Sequence, residues 1–229
     1  MLKESLMAVQ ARIEIAARSA GRDPSEIRLV AVSKTHPVSA IRAAIDAGVS
    51  TIGENRVQEA EAKISEVGRE SAEWHLIGHL QSNKARKAVR LFDVIQSVDS
   101  VELAARLDRV CRDAGRESLR VFVQVDLAGE ETKSGIPAGG VPTIVQKLKL
   151  LPRLRFEGLM LIPPYFEDVE QTRPFFGRLR ELRDELANQG AFGARPGELS
   201  MGMSHDLEVA IEEGATLVRI GTAIFGERE

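Results

Sequence analysis

The sequence predicts an α/β protein built as a single parallel (β/α)8 barrel of the TIM type, and three observations carry that prediction. Eight short apolar runs, each suited to a buried strand, alternate with segments whose apolar residues recur at helical spacing. The alternation fills residues 1–229 without a linker, a low-complexity run or a composition break, so one domain with an extra N-terminal helix is expected. No GxGxxG fingerprint follows the first strand candidate, as it would in the competing architecture, an open doubly wound sheet.

The opening helix is read from Leu2, Leu6, Val9, Ile13, Ala16 and Ala17, one face at steps of three and four, and it stops at Gly21. Residues 28–33 form the first strand, with a helix over 38–47 after Pro37. A second strand over 49–52 exits through Gly53, Glu54 and Asn55 into a helix over 57–67. Strands at 74–77 and 94–97 flank a helix over 83–92. The next helix is capped by Asp99 with Glu102 three residues on, and Cys111 sits on its apolar face with Leu103, Leu107 and Val110, which makes it a core residue. The longest strand, 119–125, leads through a glycine-rich loop at 129–140 to a helix over 143–149. A strand over 155–161 precedes a long helix over 169–189, whose first turn Pro174 disturbs. The series closes with a strand at 198–200, a helix over 206–213 and a strand at 216–220.

Composition narrows the function. One cysteine excludes an intrachain disulfide, and the charged, amphipathic start does not resemble a secretory signal, so a cytoplasmic protein is expected. No apolar run approaches membrane-spanning length. A net charge of −3 and 4% aromatic residues leave neither the basic surface nor the stacking platform of a nucleic-acid binder. A small-molecule site is the expectation.

Barrels of this class carry their chemistry where strands end. The exits here are Lys34, Asn55, His79 with Gln81, Asp126, the segment from Ser200 through Gly202 to Ser204, and Gly221-Thr222. Lys34 ends an apolar strand, and a desolvated amine there could form a Schiff base with a carbonyl; a lysine snorkelling to the rim is the alternative. Backbone amides of the last two exits, side by side in a barrel, would suit a phosphate. A carbonyl and a phosphate together suggest pyridoxal phosphate, or a phosphorylated sugar on a lysine aldolase. Arg219 lies on the last strand and points either outward to a helix acid or into the barrel. Pointing inward, it could donate to a pyridine nitrogen without releasing its proton, leaving the ring a weak electron sink.

Eight runs in one order are similar to the pyridoxal phosphate homeostasis proteins, which share the barrel of the alanine racemase N-terminal domain. They are AVSKT at 31–35, GENRVQE at 53–59, WHLIG at 74–78, LQSNK at 80–84, KSGI at 133–136, GLM at 158–160, LSMGMS at 199–204 and VRIGTAIFG at 218–226. The resemblance implies pyridoxal phosphate held as an aldimine on Lys34, phosphate contacts from Ser200, Gly202, Gly221 and Thr222, and Asn55 and Arg219 near the ring. It assigns no role to His36 or His79, while His75 fits a satisfied core histidine. The expected role is a monomeric carrier that buffers or delivers the cofactor, with apo-enzymes as acceptors. An amino-acid racemase or decarboxylase using the same aldimine is the alternative. Racemases of this fold add a second domain with an acid/base tyrosine; none is expected here, and Tyr165 is the only tyrosine. Lys84 and Lys133 are further candidates for relaying the cofactor.

Overall fold

The computed structural model describes residues 2–129 and 134–227. Its centre is a closed barrel of eight parallel strands. In chain order these are β1 (Arg28–Val32), β2 (Thr51–Glu54), β3 (Glu73–Leu76), β4 (Val94–Val98) and β5 (Leu119–Asp126), then β7 (Leu154–Leu161), β8 (Glu198–Ser200) and β9 (Leu217–Ile220). Between them, the two-residue β6 (Ile136–Pro137) adds a side pairing to β5. Closure comes from β1 pairing with β9 and β4 with β5.

Helices α1 (Leu2–Ser19), α2 (Val38–Asp46), α3 (Val57–Val67), α4 (Ala85–Leu91), α5 (Val101–Asp113), α6 (Val141–Leu148), α7 (Arg173–Asn188), α8 (Leu207–Glu212) and α9 (Thr222–Phe225) surround the strands. Alternation along each strand splits the apolar residues into two cores. Val30, Val94, Phe122, Met160 and Leu217 fill the barrel, whereas Ala31, Ile52, Trp74, Leu76, Val218 and Ile220 face the helices in the larger cluster. The predicted extra helix is α1, which buries Leu6, Val9, Ile13, Ala16 and Ala17 and packs on α8 and α9.

Four boundaries correct the sequence reading. β2 begins at Thr51 and runs through Glu54. Gly53 fits because a Cβ there would press on Val30 and Ile77 inside the barrel, and Glu54 turns outward to an ion partner on α3. Ser100, not Asp99, caps α5 by accepting the Leu103 amide at 3.3 Å, and Asp99 faces His79 instead. The long helix over 169–189 divides into a 3-10 turn at Val169–Thr172 and α7, with Pro174 in the first turn, where a missing N–H costs nothing. The series does not close at the last strand, since Gly221 leads into the short helix α9.

Candidate functional site

At the C-terminal ends of the strands lies a cavity of about 450 Å³. Its walls include Val32, Ile77 and Ile162, with Lys34, Asn55, Gln124, Arg219, Gly221, Thr222 and Ser204 as polar groups. An apolar chamber with a few convergent polar groups is the usual form of a small-molecule site. Of the residues the sequence singled out, Lys34, Asn55, Arg219, Gly221 and Thr222 meet here.

Lys34 reaches the cavity because Val30 and Val32 precede it at steps of two on the inner face of the barrel. It sits in a turn closed by the His36 amide donating to the Ser33 carbonyl at 3.1 Å. In that turn Thr35 has φ of 69°, the one left-handed non-glycine residue among those described. Such strain persists only where the surroundings fix it. Here the Thr35 amide donates to Glu59 Oε1 at 2.5 Å, and Lys63 Nζ donates to the Ser33 carbonyl, Glu54 Oε1 and Glu59 Oε1, each at 2.7 Å. Ser33 Oγ donates to Glu54 Oε1 at 2.5 Å. Burial pushes the Glu54 carboxyl up, against the pull of Lys63 and Ser33. Burial opposes ionisation of Glu59 too, yet the hydrogen bonds from Lys63 and Thr35 outweigh it and hold that carboxyl below its ordinary value. An ionic clamp beneath the lysine turn is therefore built from β2 and α3.

Arg219 points into the barrel. It is 4% exposed and donates to Ser200 Oγ and the Leu161 carbonyl, each at 2.8 Å. Burial pulls its pKa down to about 10, partly offset by the charge of Asp206. Ser200 and Gly202 lie behind the cavity wall. Ser200 is fully buried, and Gly202, with φ of 89°, is needed because a Cβ would come within 2.5 Å of that of Ala210. Asn55 is kept in place by Gly78, whose missing side chain makes room for the Asn55 carbonyl.

Among the other candidates within the described residues, only His79 lines the cavity. Lys84 ends the 3-10 turn Ser82–Lys84 and does not line the cavity, and Lys133 is outside the described residues. Tyr165 is exposed, stacked 5.5 Å from the cavity-lining His205. His79 lines the mouth with its Nδ1 3.2 Å from Asp99 Oδ2. His75 is a satisfied core residue with partners on both ring nitrogens, and Cys111 is buried on α5. Sequence reasoning missed Lys63 and Gln96. Lys63 had a signal, since it occupies the apolar face of α3 between Ala60 and Val67 with Glu59 one turn before it.

The profile of the alanine racemase N-terminal domain matches residues 5–229. A pyridoxal phosphate homeostasis protein of Pseudomonas aeruginosa is 46% identical over 228 residues, covering 100% of this chain and 96% of the relative. The chain belongs to the pyridoxal phosphate homeostasis protein family. A relative of that name in Aquifex aeolicus is 43% identical, covering 99% of this chain and 98% of its own. Among solved structures, PipY of Synechococcus elongatus with PLP bound is similar with a TM-score of 0.86 and 42% identity, over 99% of this chain and 100% of PipY. An alanine racemase of Clostridium difficile shares the fold, with a TM-score of 0.73 at 15% identity, and this chain spans 56% of its length.

Proposed function

We propose that this protein binds pyridoxal 5'-phosphate for intracellular vitamin B6 homeostasis, holding it on the Lys34 amine as an exchangeable aldimine and buffering or delivering it. The observation that carries the reading is a buried Arg219 lining the same cavity as Lys34. Bound pyridoxal phosphate supplies an aldehyde for the lysine, an aromatic ring and a phosphate. Val32, Ile77 and Ile162 offer apolar contact to the ring, and Ser204, Gly221 and Thr222 offer polar groups to the phosphate. Arg219 donates hydrogen bonds and keeps its own proton, so a ring nitrogen facing it stays unprotonated and stabilises a carbanion weakly. That favours a carrier over a racemase or decarboxylase.

Lys34→Ala is expected to abolish the visible absorption of the loaded protein while the far-UV circular dichroism stays unchanged. Retained absorption would place the cofactor on another lysine, with Lys84 the first to examine. The enzyme alternative is tested by incubating the loaded protein with L- and D-amino acids in deuterated water. Deuterium entering Cα during turnover defeats the carrier reading. Delivery is tested by transfer to an apo-enzyme in the presence of a scavenger of free pyridoxal phosphate.

A further inference from the structure

Across the barrel interior runs a continuous line of hydrogen bonds that begins at the cavity and ends at the opposite mouth. Arg219 on β9 donates to Ser200 Oγ on β8 at 2.8 Å, and Ser200 Oγ donates to Gln96 Oε1 on β4 at 2.6 Å. Gln96 Nε2 lies 2.7 Å from His75 Nδ1 on β3, and His75 Nε2 lies 2.5 Å from Glu73 Oε1, whose other oxygen accepts from Arg120 on β5 at 2.8 Å. Ser200, Gln96 and His75 are each at most 1% exposed, and none of them lines the cavity.

The two ends dictate everything between them. A guanidinium can only donate and an ionised carboxylate can only accept. Glu73 is ionised: the hydrogen bond from His75, and then Arg120, hold its pKa at about 2 against burial. Burial favours the neutral form of His75, although the bond to Glu73 opposes it. Each link between can then be satisfied in one direction only. The Ser200 hydroxyl hydrogen goes to Gln96, the Gln96 amide N–H goes to His75 Nδ1, and the single imidazole proton sits on Nε2.

We infer that Glu73, His75, Gln96 and Ser200 form a one-way hydrogen-bond chain that positions Arg219 against the ligand, with His75 locked as its Nε2–H tautomer. Ser200 then has no hydroxyl hydrogen for a phosphate, and the hydroxyl residues that line the cavity are Ser134, Ser204 and Thr222. His75 is a positioning residue that touches no ligand. The effect on bound pyridoxal phosphate rests on the function proposed above; the tautomer and the immobilisation of Arg219 do not.

The full-length 15N-labelled protein without added cofactor provides the first test. Long-range imidazole correlations at neutral pH are expected to give the neutral Nε2–H pattern for His75, and Arg219 is expected to show separate Nη signals from slowed rotation. Gln96→Glu, which puts an acceptor against Nδ1, is expected to convert His75 to the doubly protonated form. Ser200→Ala is expected to merge the Arg219 Nη signals and, in a chain still folded by circular dichroism, to weaken pyridoxal phosphate binding about ten-fold, as for loss of a hydrogen bond to a charged group. It should also shift the absorption band of the bound cofactor. An Nδ1–H tautomer or an imidazolium in the unaltered protein overturns the chain. Unchanged Arg219 signals in Ser200→Ala overturn the positioning role. An unaltered protein that binds no pyridoxal phosphate defeats the proposed function and leaves the two cofactor-free readouts to decide the chain.

Discussion

The two ends of the barrel treat charge in opposite ways. At the N-terminal mouth, charges lining the interior are neutralised in place: Arg28 pairs with Glu198, and Arg120 with Glu73. At the C-terminal mouth, Lys34, Asn55, Arg219 and Thr222 line an open cavity, and the ion pairs lie behind it, in the Lys63 clamp under the Lys34 turn. One end pairs its charges with its own counter-ions, and the other presents polar groups to a guest. The difference teaches that one mouth uses its charges on one another while the other carries ligand chemistry over a buried clamp, so substitutions at the two ends should separate in their effects on binding.

The largest expected effect comes from Lys63→Met. It leaves Glu54, fully buried, without its cation and removes the donor to the Ser33 carbonyl. Breaking a buried pair in this way costs about 3–5 kcal/mol, read as a lower urea midpoint. If the stability loss is below about 1 kcal/mol, the clamp is not what holds the Lys34 turn.

Gly78→Ala should come next. The added Cβ overlaps backbone atoms of Asn55, which cannot give way as a flexible side chain would. Overpacking of this kind costs about 1–3 kcal/mol, and displacement of Asn55 should also raise the Kd for pyridoxal phosphate. Lost stability with unaltered binding would remove Asn55 from the ligand site.

The N-terminal mouth has a pH signature. Glu73 is held at about 2, below its ordinary 4.5, first by the hydrogen bond from His75. A depressed carboxylate pKa contributes stability above the unfolded value, and that contribution is lost as pH falls through the folded value. Urea midpoints of the unaltered protein and Glu73→Gln should therefore converge as pH drops from about 4.5 toward 2, the difference at neutral pH being about 1 kcal/mol after solvent screening. A gap that stays constant over that range would mean the carboxylate is not the stabilising group.

Arg28→Met should matter least. Its pair with Glu198 is partly exposed, and such pairs contribute about 0–1 kcal/mol. Pyridoxal phosphate binding should be unchanged within about two-fold, since 1.4 kcal/mol would be needed for ten-fold. A larger loss of binding would show that the Arg28–Glu198 pair, which lies outside the hydrogen-bond chain, is also coupled to the ligand site.

Much of the barrel was legible because strand and helix periods differ, and the runs at 28–33, 119–125 and 155–161 carry theirs openly. The second strand was placed two residues early because Gly53 and Glu54 read as a turn. Their strand conformation depends on Val30 filling the space beside Gly53 and on Lys63 meeting Glu54, neither of which is a local property. The residues at the cavity follow the same division. Lys34 and Asn55 could be picked from their place at strand exits, whereas spacing left Arg219 two faces and only the family resemblance placed it near the ring. The resemblance named Ser200 for the phosphate, and nothing local in its run shows that its hydroxyl hydrogen-bonds Gln96, 104 residues away.

By itself, then, the sequence determined the alternating pattern, the eight strands with their extra helix, and which residue types stand at the strand exits. Those depend on periodicity and on glycine and proline, which act within a few residues of themselves. Only the tertiary structure decided that Arg219 turns inward, that Lys63 clamps the Lys34 turn, and that β3, β4, β8 and β9 share one hydrogen-bond chain. Closing the barrel makes neighbours of residues far apart in the chain, and a buried polar group takes whichever partner that closure brings within reach.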